Sequence, residues 1–299
     1  MGVTTVIGHR GASGYLPENT IESMQLAFEM GADAVEFDVV PTRDQQLIIR
    51  HEPELSTTTN ISALPEFESR KREETINGER LQGWFSQDYS SREILELRAI
   101  ERFPNRIESA EHDGKYLIPT LGDLLATPEL FGKHLVIELK HPDYFLELGL
   151  DLPLMLQREL LIAQMDPEAN HQFTIESFDW KGLIRAKELI GPTANYVFLA
   201  ETKTTPDDIQ MFIDAVADNF DGISLDLPQF LEKFDTEQIT ENNVLDMAKA
   251  KGLSVFAYTL RVEQAIDVPR DFEFVANLGF DGVFTDQPDV FRSFVKGWT

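Results

Sequence analysis

Apolar and polar residues alternate along this chain in two registers. Short β-branched runs are separated by longer stretches with helical spacing. The runs at residues 3–8, 34–40, 134–139, 172–175, 196–199, 222–225, 254–258 and 282–284 read as strands. Residues 46–50 read as an extension of the second strand after a polar turn. Helical patterns cover residues 19–30, 144–165, 180–190, 207–219, 241–251 and 272–278, and Gly31 closes the first of them. Strands that alternate with helices imply a parallel sheet. About eight such units in a chain of 299 residues predict a single α/β domain over 1–299, a (β/α)8 TIM barrel. A doubly wound sheet is the alternative, but it uses fewer strands, and no GxGxxG turn is present.

One stretch breaks the rhythm. Residues 52–116 are polar, carry clusters such as "ESRKREE", and look plainly helical only at 92–99. They read as an insertion after the second strand. Because they leave directly from His51, they are expected to cover the C-terminal mouth of the barrel and to shape leaving-group selectivity.

Composition narrows the chemistry. Hydrophobic residues make up 42%, enough for a large core. There is no cysteine, which removes disulfides, thiolate metal sites and thiol catalysis. Acids outnumber bases 52 to 26, a formal net charge of −26. Nucleic acid and anionic membrane surfaces are therefore poor partners. An anionic substrate would need positive potential built locally. No run approaches the length of a membrane-spanning helix, so stable membrane insertion is not expected. No leader is visible ahead of the first strand, which predicts a cytoplasmic protein, or a periplasmic or extracellular one if a signal peptide has been removed. The oligomeric state is not legible.

Barrel enzymes place their chemistry where the strands end. Here the first strand ends in His9 and Arg10, and the second carries Glu36 and Asp38 with His51 beyond its extension. The third ends in Glu138 and Lys140, the eighth in Thr285 and Asp286. Glu36 and Asp38 share one strand face, opposite Val35, Phe37 and Val39, so both should point into the barrel. Carboxylates packed together require a cation or a proton. Glu138 completes a three-carboxylate set, and Lys140 adds a positive charge beside it. Three carboxylates without thiolates suit a hard divalent cation such as calcium or magnesium. His9 and His51 suit acid–base work near neutral pH, or metal ligation. His112, His134, His141 and His171 are expected to be ordinary core or surface residues. Asn19 or Thr20 is expected to cap the first helix, and Glu18 is a candidate to orient His9 or Arg10.

The ordered set "GHRGASGYLPENT", "EFDVVPTRDQQLIIRHE", "IELK" and "FTDQPD" resembles the glycerophosphodiester phosphodiesterases over nearly the whole chain. The resemblance implies a (β/α)8 barrel that cleaves glycerophosphodiesters to an alcohol and glycerol 3-phosphate. It implies His9 and His51 as the acid–base pair, Arg10 and Lys140 as phosphate contacts, and Glu36, Asp38 and Glu138 as ligands of one divalent cation. The insertion resembles the long form typical of periplasmic and extracellular members, which favours calcium over magnesium. Three positions depart from the family pattern. Glu52 follows His51 where Asp is frequent, and Glu176 stands in "ESF" where Gln is usual, ahead of Phe178. Tyr258 replaces a common Trp and, with Phe178, is expected to wall the substrate. Two other readings share these residues. A phospholipase D-like enzyme acting on lysophospholipid or sphingomyelin fits the His, Glu-x-Asp, His core but usually relies on disulfides. A non-catalytic binder of phosphorylated polyols would not need both histidines.

Overall fold

The computed structural model describes residues 3–200, 206–228 and 244–295. Its strands are β1 (Thr5–His9), β2 (Ala34–Pro41), β3 (Leu47–Ile49), β4 (Arg72–Ile76), β5 (Glu79–Gly83), β6 (His134–Leu139), β7 (Gln172–Ser177), β8 (Ala194–Ala200), β9 (Gly222–Asp226), β10 (Ser254–Leu260) and β11 (Gly282–Thr285). Eight of them pair in parallel in the order β1-β2-β6-β7-β8-β9-β10-β11, and β11 returns to β1. The sheet is closed, a (β/α)8 barrel with its helices outside.

The period-2 pattern explains both faces of the sheet. Val35, Phe37 and Val39 face outward and are fully buried beneath the helices. Ile7, Ala34, Val136 and Phe284 form a separate buried cluster, with Phe256 packed against it. Two residues further along their strands come His9, Glu36, Glu138 and Asp286. The apolar cluster is thus the floor, and the charged set is the next inward layer above it. Register keeps that layer level: His9 pairs with Glu36, Asp38 with Glu138, and Glu138 with Glu176.

Residues 46–50 do not extend β2. They form β3, which runs antiparallel to it with Val39 opposite Ile49 and Pro41 opposite Leu47. The turn at Thr42–Gln46, with Gln45 at φ 60°, reverses the chain. The hairpin therefore carries His51 back down toward Asp38, and the Arg50 amide donates to the Asp38 carbonyl at 3.0 Å.

Helix boundaries moved for local reasons. The helix expected over 144–165 is two, Pro142–Glu147 and Leu152–Ala163. Gly149 at φ 79° ends the first stretch, and Asp151 caps the second ahead of Pro153. The helix expected at 92–99 shrinks to Ser91–Ile94, held by a Ser90–Glu93 capping box. Arg98 and Ala99 instead pair with Leu117 and Thr59 in isolated bridges. Thr20 caps Ile21–Glu29, whereas Asn19 does not. The helix expected at 272–278 begins earlier, at Val268, behind the Asp267 cap. Of the helix expected at 241–251, Val244–Ala250 is seen, and 241–243 lie outside the described residues. Among the described residues no helix is long and apolar enough to cross a membrane.

Candidate active site

A cavity of about 240 Å³ opens above the apolar floor, lined by His9, Arg10, Glu36, His51, Glu138 and Glu176 among others. Phe178 and Tyr258 line it too, their rings perpendicular with centroids 5.7 Å apart.

Each histidine is fixed through Nδ1. His9 Nδ1 lies 2.6 Å from Asp286 Oδ1, and His51 Nδ1 lies 2.5 Å from Glu52 Oε1. Asp286 stays ionised despite its burial, because His9, Arg261 and Arg106 hold its carboxyl far below the usual range. Glu52, only partly buried, is held low by His51 and Arg102. With both carboxylates ionised, each imidazole donates from Nδ1, which turns Nε2 of His9 toward the cavity and Nε2 of His51 toward Lys140. Burial and the neighbouring Arg10 lower His9 to about 4, against the pull of Asp286. Burial, Arg10 and Lys140 lower His51 as well. Lys140 Nζ sits 3.0 Å from His51 Nε2 and 2.6 Å from Glu138 Oε1.

The carboxylates crowd together. Asp38 is fully buried, and its Oδ2 accepts from Asn19 Nδ2 at 2.8 Å and lies 3.2 Å from Arg10 Nε. This is why Asn19 leaves the cap to Thr20. Glu18 pairs with Arg10 at 3.1 Å, and the Arg10 amide donates to Glu36 Oε2 at 2.9 Å. Burial, with Asp38 and Glu176 nearby, raises Glu36 well above an ordinary carboxyl. Burial lifts Glu138 to about 7, Lys140 drawing it down and Asp38 pushing it up. Glu176 points inward, and burial with Glu138 and Asp38 raises it too.

Two triads can offer ligand atoms within 4.8 Å of one another: Asp38, His51 and Glu138, and Glu36, Glu138 and Glu176. The expected set of Glu36, Asp38 and Glu138 is divided between them, with Glu138 shared. Asp38 Oδ1 and Glu176 Oε2 are buried and have no hydrogen-bond donor among the described residues. Unsatisfied buried carboxylate oxygens are costly unless a cation meets them. Four carboxylates, Glu36, Asp38, Glu138 and Glu176, with His51 beside them, supply mostly oxygen donors, which fits a hard divalent ion.

The four histidines set aside on sequence grounds bond elsewhere. His134 meets Thr174, His112 meets Tyr116 and His171 meets the Leu125 carbonyl. His141 at φ 50° bonds Asn77 of the insertion just beyond β6. Sequence reasoning missed the arginines. Arg50, Arg102 and Arg106 lie in or beside polar stretches whose pattern does not separate a buried guanidinium from a solvated one. Arg50 is fully buried and donates to the carbonyls of Ile49, Thr58, Glu18 and Asn19.

The glycerophosphoryl diester phosphodiesterase family model matches residues 9–290. The glycerophosphodiester phosphodiesterase of Bacillus subtilis (strain 168) is 29% identical over 98% of this chain and 86% of its own length. Its counterpart from Caldanaerobacter subterraneus subsp. tengcongensis is 25% identical, over 98% of both chains. A phosphodiesterase from Oleispira antarctica, solved in complex with the product sn-glycerol-3-phosphate, superposes with a TM-score of 0.67 at 22% identity, covering 98% of this chain and 96% of that one. The glycerophosphodiester phosphodiesterase of Thermotoga maritima gives 0.61 at 21%, over 98% and 99%. These two structures speak for the fold. The family match spans the barrel from the end of β1 onward and every residue of the cavity named above, and the chain is a phosphoric diester hydrolase that belongs to the glycerophosphoryl diester phosphodiesterase family.

Proposed function

We propose that this enzyme hydrolyses glycerophosphodiesters to an alcohol and glycerol 3-phosphate, with one divalent cation and with His9 and His51 as its acid–base pair. One observation carries the reading: two imidazoles, each fixed at Nδ1 by an ionised carboxylate, line the same cavity as Arg10 and a carboxylate cluster. Glu36, Asp38 and Glu138 would hold the cation, with the free oxygen of Glu176 beside them. When bound, it supplies Lewis-acid stabilisation to the non-bridging phosphate oxygens. Calcium is the expected ion and magnesium the alternative. Arg10 and Lys140 offset the charge on the phosphoryl group. Phe178 and Tyr258 pack against the glycerol moiety.

His9 is neutral at pH 7 and serves as the base. It takes the proton of the glycerol 2-hydroxyl, whose oxygen attacks phosphorus. The bond from phosphorus to the head-group alcohol breaks, and His51 protonates the departing oxygen. The negative charge of the bound diester favours the protonated form of His51 that this needs. Water then opens the cyclic phosphate with the two histidines in exchanged roles. Intramolecular attack has effective molarities that reach ~10⁵ M or more. An analogue built on propane-1,3-diol, which lacks the 2-hydroxyl, should bind and resist cleavage; cleavage at a rate like that of glycerophosphocholine would point to direct attack by water. The insertion at 52–116 is read as a cover over the cavity that selects the leaving group.

The test is glycerophosphocholine incubated with the protein before and after chelation. The reading expects choline and glycerol 3-phosphate, loss of turnover with EDTA, and recovery with calcium. Release of phosphocholine instead, or turnover indifferent to chelation, would overturn it.

A further inference from the structure

Two arginines of the insertion, four residues apart, each reach the carboxylate behind one of the two histidines. Arg102 donates to Glu52 Oε2, while Glu52 Oε1 holds His51. Arg106 donates to Asp286 Oδ2, while Asp286 Oδ1 holds His9. The two relays have the same form: guanidinium, bridging carboxylate, imidazole Nδ1. Their anchors come from distant places, because Glu52 follows β3 and Asp286 follows β11. The arginines come from one short segment.

That segment is tied down. Glu101 accepts from the Phe103 amide at 2.7 Å, and the Glu101 amide donates to Asp113 Oδ1 at 2.7 Å. The Phe103 ring lies 4.5 Å from the guanidinium of Arg106 and 6.0 Å from that of Arg102. Arg106 is buried and spends its remaining donors on the Ser13 carbonyl at 2.9 Å and on Glu263. Arg102 Nε lies 2.8 Å from Glu18 Oε2, the carboxylate that also pairs with Arg10.

We infer that Arg102 and Arg106 are positioning residues, through which the insertion sets the orientation and tautomer of both histidines. The physical reason lies in the second carboxylate oxygen. A carboxylate that bonds an imidazole with one oxygen and nothing with the other is free to rotate, and its hold on the Nδ1 proton weakens. A guanidinium on the second oxygen fixes the plane and keeps the group ionised. The imidazole then keeps its proton on Nδ1 and presents Nε2. The insertion is on this view part of the acid–base machinery as well as a cover. The two relays are unequal. Asp286 Oδ2 is also 2.7 Å from Arg261 Nε, a residue outside the insertion. His9 therefore has a reserve, and Arg102 matters more than Arg106.

The inference rests on the two-histidine reading, and the test separates the two. Glycerophosphocholine turnover with calcium is measured for Arg102→Ala, Arg106→Ala, the isosteric Glu52→Gln and Asp286→Asn, and the paired variants. Arg102→Ala should lower kcat by about 10–100-fold with KM little changed, the range seen for residues that orient a functional imidazole. Arg106→Ala should lower it less, until Arg261→Ala is added. Arg102→Ala on Glu52→Gln should cost little more than Glu52→Gln alone, whereas Arg102→Ala on Asp286→Asn should multiply. Histidine ¹⁵N shifts supply a readout that needs no turnover. The wild type should show His51 protonated at Nδ1, and Arg102→Ala should mix the tautomers. Arg102→Lys should retain part of both signals. Unchanged shifts with multiplying kcat losses in every pair would overturn the inference. A wild type without turnover would refute the proposed hydrolysis of glycerophosphocholine, and the shifts would still decide the role of the arginines.

Discussion

Burial sets proton affinities at this site before any single partner does. His9 titrates near 4, so its base form persists well below neutrality. The carboxylates behave oppositely. Glu138 titrates near 7, and Glu36 and Glu176 are raised well above an ordinary carboxyl, so the cation-free site carries protons at pH 7. A group with a raised pKa is protonated below that value, and calcium must displace the proton. Calcium affinity should therefore rise as pH increases from about 6 to 8, with protons released. Calorimetric titration in two buffers of different ionisation enthalpy counts them. Binding with no proton release and no pH dependence would contradict this electrostatic picture. Glu176→Gln should weaken calcium by about tenfold or more, because it removes one anionic oxygen from the set. Equal affinity in wild type and variant would show that Glu176 stays outside the coordination sphere.

At the scale of elements, the hairpin β2–β3 does the positioning. It turns at Gln45 and brings His51 back to the level of Asp38, and Arg50 fastens its end to the β1 loop. Arg50→Met should leave buried carbonyls without a donor, at about 1–3 kcal/mol for such a group. Chemical denaturation should register a loss of at least that size. A variant as stable as the wild type would mean that the carbonyls find other donors. The strands were legible because period 2 is strict: in β2 the outward Val35, Phe37 and Val39 leave no choice for Glu36 and Asp38. The same alternation placed Glu138 beside them. It could not show that 46–50 fold back, since an antiparallel return and a continued strand share one pattern. Nor could it show the helix break at Gly149, which depends on a single positive φ. The relays behind the histidines were invisible for a different reason. They join residues far apart in the chain, 50 positions for Arg102 and Glu52 and 180 for Arg106 and Asp286, and no local period encodes such a contact.

For the whole molecule, the formal charge of −26 opposes the entry of an anion into the cavity proposed to bind the diester phosphate. On the proposed function, an anionic diester should be repelled at long range and attracted close to Arg10 and Lys140. Salt should relieve the repulsion: the screening length falls from ~30 Å at ~10 mM to ~8 Å at ~150 mM. Over that range kcat/KM for glycerophosphoglycerol, a net anion, should rise, and that for zwitterionic glycerophosphocholine should stay nearly flat. Equal salt responses would show that the global field does not reach the cavity. The barrel brings His9 from the first strand and His51 from the β2–β3 hairpin to one cavity, and the central claim is that they act on one phosphorus atom. The most direct test is a ³¹P NMR time course of glycerophosphocholine with calcium for the wild type, His9→Ala, His51→Ala and the double variant. The account predicts that the diester signal converts to glycerol 3-phosphate in the wild type. Each single substitution should slow it by about 10²–10⁴-fold, and the double variant should lose far less than the product of the two. Conversion at a near-wild-type rate in either single variant would contradict it.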